Sequence, residues 1–161
     1  MSINALSTMQ AKDVINARLA MAYVTVNGNR YKLFQAKKIT AKFKKDKKEV
    51  GILGRVNKGH KSGGGEGTGS MTIYQNTALF TDMMKTYKDT GEDIYFDLQL
   101  INSDPTSDAG DNITILKDCN LDEIGIASAD ADGDWLEQDV DFTFEDWENP
   151  TKFKELDGMK A

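Results

Sequence analysis

The stretch Leu136-Glu137-Gln138-Asp139-Val140-Asp141-Phe142-Thr143-Phe144-Glu145 repeats with a period of two. Successive side chains of an extended strand point to opposite faces, so Leu136, Val140, Phe142 and Phe144 share one side and Glu137, Asp139, Asp141, Thr143 and Glu145 the other. This is a half-buried strand with an acidic outer face. The same period recurs upstream in Ile94, Phe96, Leu98 and Leu100, and again in Met71 and Ile73. Ile39, Ala41 and Phe43 alternate with Lys38, Thr40, Lys42 and Lys44, giving a strand whose outer face is basic. Ala17 to Val26 is apolar on both faces, and Asn27-Gly28-Asn29 supplies the turn of a hairpin. Ile113, Ile115 and Leu116 begin a further strand, expected to kink near Asn120 and run on through Ile124 and Ile126. Asp104 to Gly110 reads as a loop and Asp132-Gly133-Asp134 as a turn.

One helix interrupts the strands. Leu79, Phe80, Met83, Met84 and Tyr87 mark its core face, Asn76 or Thr77 is the expected N-cap, and Gly91 after Thr90 supplies the left-handed stop. The expected fold is therefore mainly β, a β-barrel or sandwich of about six or seven strands with one flanking α-helix. A chain of 161 residues fits a single domain. Within 1–161, residues 1–12 read as an N-terminal arm and 148–161 as a C-terminal tail. Residues 51–69 hold 8 of the 14 glycines and read as a glycine-rich loop. The one cysteine, Cys119, forbids an intrachain disulfide, and the N-terminus has neither the basic nor the apolar region of an export signal. The longest apolar run, Leu19 to Val24, is far below the ~20 residues of a membrane span, so no membrane binding is expected.

The net charge of -6 conceals an asymmetry: residues 30–61 carry 12 of the 20 Lys and Arg but only 2 of the 26 Asp and Glu. That local excess of ten positive charges implies two poles of opposite sign, and a dipolar subunit can stack head to tail. A solvated charged surface that keeps a β-protein soluble is the competing explanation.

Four patterns suggest chemistry and fail on geometry. Gly54 to Ser62 approaches a phosphate-binding loop, but His60 separates Gly59 from Lys61 and Gly63-Gly64-Gly65 forbids the helix that must follow. Asp130-Ala-Asp132-Gly133-Asp134 resembles the opening of a calcium loop, yet its glycine is fourth instead of sixth. His60 and Cys119 have no reason to meet. Asp139 and Asp141 lie on a solvated acidic face, where neither acquires the apolar pocket that a general acid needs. No catalytic residue, cofactor or metal is expected.

Several uncommon strings occur in order: Gly59-His60-Lys61-Ser62, then Gly65 through Tyr74, Thr90 through Asp97, Asn102 through Ser107, and Phe142 through Asp146. Together they resemble the tail tube proteins of PBSX-like contractile phages. The resemblance implies a β-barrel or sandwich with a flanking helix, assembled as hexameric rings that stack into a hollow tube within a contractile sheath. The implied partners are further copies of the chain, the tail sheath protein, and the baseplate and tail terminator proteins. DNA would pass through the bore without specific binding, or the tube would serve a phage-tail-like bacteriocin in membrane puncture. The implied location is the virion tail, assembled in the bacterial host cytoplasm. On that reading Lys44, Lys45, Lys47, Lys48, Arg55, Lys58, His60 and Lys61 are candidates for contact between rings, and Glu137, Asp139 and Asp141 for the wall of the bore. A stand-alone nucleic-acid- or ligand-binding β-barrel using the Lys-rich hairpin is the alternative, and it predicts a stable monomer.

Overall fold

A computed structural model describes residues 8–160, which contain eight β-strands and a single α-helix. The contacts group into two compact units. One takes in the described residues up to Phe34, Asp97–Leu116 and the residues from Trp147 onward; the other comprises Gln35–Phe96 and Lys117–Asp146. Residues 1–7 of the expected arm lie outside the described residues, and Ala11–Asp13 forms one turn of 3-10 helix.

In the first unit β1 (Ala20–Val26) and β2 (Asn29–Lys32) form a hairpin closed by Asn27 and Gly28, with φ of 49° and 79°. Both values are left-handed, as a two-residue turn matching the strand twist requires. β1 also pairs antiparallel with β5 (Tyr95–Ser103), Ala22 facing Leu100 and Val24 facing Leu98. Val24 and Leu98 are fully buried. β6 (Asp111–Ile124) follows β5 in the ladder, and β8 (Asp146–Thr151) pairs with β6. Four residues of the expected C-terminal tail, 148–151, are thus strand. Pro150 within it suits an edge position, where no amide is needed for the ladder.

The loop between β5 and β6 fastens the N-terminal segment. Buried Asp104 accepts hydrogen bonds from the backbone N–H of Asn16 and of Thr106, each at 3.0 Å. The Ser107 hydroxyl donates to the Asp13 carbonyl at 2.9 Å, and the Asp108 N–H to the Asp13 carboxylate at 3.0 Å. The amides of Thr106 and then Asn16 hold the Asp104 carboxyl below its ordinary pKa of 3.8. A depressed carboxyl pKa contributes stability that is present above the unfolded value and lost as pH falls through the folded one. Asp104→Asn should therefore melt below the parent at pH 7, with the two curves converging as pH falls through the lowered folded-state pKa of Asp104. Thermal melts from pH 7 to 2 measure this, and a constant gap between the curves would contradict it.

In the second unit β3 (Ala36–Val50) and β4 (Gly59–Tyr74) form one long antiparallel hairpin, paired from Ile39 opposite Met71 to Val50 opposite Gly59 with a shift of register between Asp46 and Lys47. β4 pairs with β7 (Glu137–Phe144), and β7 with the later part of β6. The strand order is β2-β1-β5-β6 in the first unit and β6-β7-β4-β3 in the second. β6 bends where expected: Asp118 has a φ of 52°, and the register shifts between Leu121 and Glu123. It ends at Ile124, two residues early.

The glycine-rich segment is where expectation and structure part. Residues 59–69 are not a loop; they are the first eleven residues of β4, and only 51–58 connect the strands. Gly65, Gly67 and Gly69 recur at alternate positions because aromatic rings lie over them: Phe43 on Gly65, Phe144 on Gly67 and Phe142 on Gly69. A Cβ at any of the three would fall closer than 3.0 Å to a ring carbon. Low intrinsic strand propensity is overridden by cross-strand packing.

Helix α1 (Leu79–Thr90) buries Phe80 and Met83. Phe80 meets Phe96 edge-on at 6.1 Å between ring centroids, and Phe96 meets Phe142 at 6.2 Å. The helix stops at Gly91, whose φ of 77° is the expected left-handed cap. Its start corrects the sequence reading: the N-cap is Ala78, without a side-chain cap, and the Thr77 hydroxyl instead accepts from Gln35 Nε2 at 3.3 Å.

Candidate assembly interface

The period-two pattern of β7 places Gln138, Val140, Phe142 and Phe144 inside and Glu137, Asp139 and Asp141 outside. Glu137 accepts from Lys37 Nζ at 2.8 Å, and Asp139 from the Thr72 hydroxyl at 2.9 Å. The hydrogen bond to Glu137, and then its charge, raise the Lys37 ammonium above its ordinary pKa. Residues opposite one another in register share a face. Thr72 lies opposite both Asp139 and Lys38, Ser70 opposite Asp141 and Thr40, and Thr68 opposite Thr143 and Lys42. The acidic stripe of β7 and the basic stripe of β3 therefore occupy the same sheet face, separated by a row of hydroxyls on β4. Sequence periodicity identified both stripes as outward but could not show that they share a face.

Further out, every residue from Ala41 to Lys58 is exposed. Lys44 lies opposite Glu66 and Lys48 opposite Lys61, on the stripe-bearing face; Lys45 and Lys47 lie opposite Gly65 and Ser62 on the other. Arg55 and Lys58 belong to the connection at the tip, and His60 opens β4 opposite Glu49. The eight candidates thus sit together on the distal half of one hairpin, distributed over both of its faces. Among their described contacts is an exposed ion pair between Lys58 and Glu49 at 3.2 Å. Exposed pairs of this kind contribute little.

Among the described residues no group of three or more His, Cys, Asp or Glu is arranged to hold a metal. Asp130 Oδ1 accepts from the Asp132 N–H at 3.0 Å, which is a local turn. Cys119 is fully buried on β6, whereas His60 is exposed on β4. Gly59 leads into a strand, so the amides after it belong to a ladder and not to a phosphate cradle.

Sequence reasoning missed several exposed apolar residues. Phe43, assigned to the inner face, is 55% exposed, because the hairpin extends beyond the core that covers Phe142. Leu136 was assigned inward and is half exposed, and Trp135 and Ile126 are more exposed still. Leu53 and Val56 project from the tip. A tryptophan between an Asp-Gly-Asp turn and an acidic strand was the available signal.

β3 ends the strand order, so the outer ladder of a 15-residue strand has no partner among the described strands. A long open edge and exposed apolar side chains are features through which a sheet can pair with another chain. The Phage tail tube protein family model matches residues 7–150, and the chain belongs to that family. It is 39% identical over 138 residues to the Phage-like element PBSX protein XkdM of Bacillus subtilis (strain 168), covering 81% of this chain and 94% of that one. Among solved structures it resembles a chain of the sheath-tube complex of an extracellular contractile injection system in its extended state. There the TM-score is 0.64 at 12% identity, over 92% of this chain and 97% of the other. The SPP1 tail tube gives a TM-score of 0.61 at 8% identity, over 91% and 83%.

Proposed function

We propose that the chain is the repeating subunit of the inner tube of a contractile tail, forming hexameric rings that stack into a hollow tube. The observation that carries this is the unpaired edge of β3 in a member of the tail tube family. Edge-to-edge strand addition between copies would complete the ladder and close the sheets into a continuous wall. Sheath protein would surround the tube, with baseplate and terminator proteins at its ends. The tube would serve DNA passage or membrane puncture without catalysis, as part of a virion tail assembled in the host cytoplasm. Glu137, Asp139 and Asp141 are proposed to face the bore. Because Lys38 and Lys42 share their face, the wall would carry both signs of charge, which limits the grip on passing phosphates.

The Lys-rich hairpin is proposed to reach the next ring. Electron microscopy of concentrated protein should show six-membered rings and rods. The rods should shorten as salt rises, since exposed charges are screened beyond about 8 Å at physiological ionic strength. Lys44, Lys45, Lys47 and Lys48 changed together to Gln should shorten them at low salt. A persistent monomer that retains duplex DNA at low salt would favour the binding-module alternative instead.

A further inference from the structure

The two ends of β4 carry surfaces of opposite character. At the distal end, Leu53 and Val56 are completely exposed, and Ile52 is 43% exposed. Around them stand Lys47, Lys48, Arg55, Lys58 and Lys61 against a single acid, Glu49. At the other end β4 runs into Gln75, which holds two segments side by side. Its N–H donates to the Leu136 carbonyl and its Nε2 to the Ile126 carbonyl, both at 3.0 Å. Ile126 and Trp135, 66% and 76% exposed, and Leu136, 47% exposed, are the apolar residues on the two segments that Gln75 joins. The segment 125–137 that carries it contains Asp130, Asp132, Asp134 and Glu137 and no Lys or Arg. Glu137 is engaged by Lys37, which leaves the three aspartates.

We propose that the hairpin tip of one copy seats on Ile126, Trp135 and Leu136 of the copy stacked against it, with Leu53 and Val56 as the apolar plug and the aspartates as an acidic collar for the basic tip. The occupant is a second copy of this chain for two reasons. The 16 residues of β4 separate tip and seat by roughly 50 Å at ~3.3 Å per residue, so a molecule does not reach its own seat. The tip and seat also match in both respects that decide partner choice, apolar centre against apolar centre and positive rim against negative rim. Tryptophan at the centre of such a contact is a common source of binding energy.

The contact joins different patches on the two copies, so it propagates along the hairpin as an open stack. Tip-to-tip and seat-to-seat encounters bring like charges together and are disfavoured. One contact therefore supplies both adhesion and a single direction of growth. The proposal rests on the stacked-ring reading and names the acceptor that reading leaves open.

The test uses the full chain carrying Val56→Cys and Ile126→Cys, oxidised after assembly. Head-to-tail seating gives a covalent ladder of trimers and longer species. Tubes that form but yield only monomers or dimers overturn the seat while leaving the stacking reading intact. Failure of the parent chain to form any ring or tube overturns both. Independently, Asp130, Asp132 and Asp134 changed to Lys should shorten tubes several-fold. Adding Lys47, Lys48, Arg55 and Lys58 changed to Glu should restore them, and absence of restoration counts against the pairing.

Discussion

Gly69→Ala is expected to lower the melting temperature by about 2 to 12 °C, and Gly65→Ala by clearly less, although the added methyl meets a phenylalanine ring equally closely at both positions. The difference lies in what the ring can do. Phe142, over Gly69, is 1% exposed and bounded by Phe96 at 6.2 Å. It has no open space to enter, so the methyl forces strand β4 or the aromatic cluster to shift. Overpacking of a close-packed core costs about 1 to 3 kcal/mol and occasionally more. For a chain of this length each kcal/mol is worth roughly 2 to 4 °C. Phe43, over Gly65, is 55% exposed and can swing into solvent. Gly67→Ala beneath Phe144, 6% exposed, should resemble Gly69→Ala. Equal losses at Gly65 and Gly69, measured by thermal melts, would show that glycine is required there for the backbone and not for ring clearance.

The same glycines show how far the sequence could be read. Period-two alternation located β7 because that strand is buried on one face only, and burial then imposes the pattern. It failed across residues 59–69 because the reason for glycine lies on other strands, in Phe43, Phe142 and Phe144, and no local pattern reports it. The helix stop was legible in Gly91, a residue whose conformation is its signal. The helix start was not, since Thr77 bonds Gln35, 42 residues away in sequence. For the candidate interface, charge arithmetic located the basic segment, whereas strand register was needed to put Asp139 and Lys38 on one face. Trp135 and Leu136 were hidden by their setting in an acidic turn, where apolar residues read as punctuation before a strand.

Gln138→Glu should be the most damaging single change of charge, and its damage should depend on pH. Gln138 is 1% exposed on the inner face of β7. Its Nε2 donates to the Gly125 carbonyl at 2.7 Å and to the Thr81 hydroxyl at 3.0 Å, while its Oε1 has no partner in the protein. Replacing the amide nitrogen by oxygen removes the donor to the Gly125 carbonyl and sets two acceptors against each other. The new carboxyl keeps the bond only when protonated, so burial and the carbonyl both raise its folded pKa above the unfolded value of about 4.3. A raised carboxyl pKa reverses the usual acid behaviour. The penalty is absent below about pH 4, grows as pH rises towards the folded pKa, and is constant above it. Each unit of displacement costs about 1.4 kcal/mol, and an uncompensated buried charge typically costs about 3 to 5 kcal/mol. At pH 7 the variant should therefore melt at least about 6 °C below the parent, and the gap should close on acidification towards pH 4. Gln138→Met, which introduces no charge, separates lost hydrogen bonding from ionisation: its deficit should be the same at both pH values. A Gln138→Glu deficit equally insensitive to pH would mean that solvent reaches the carboxyl, contrary to the 1% exposure of Gln138.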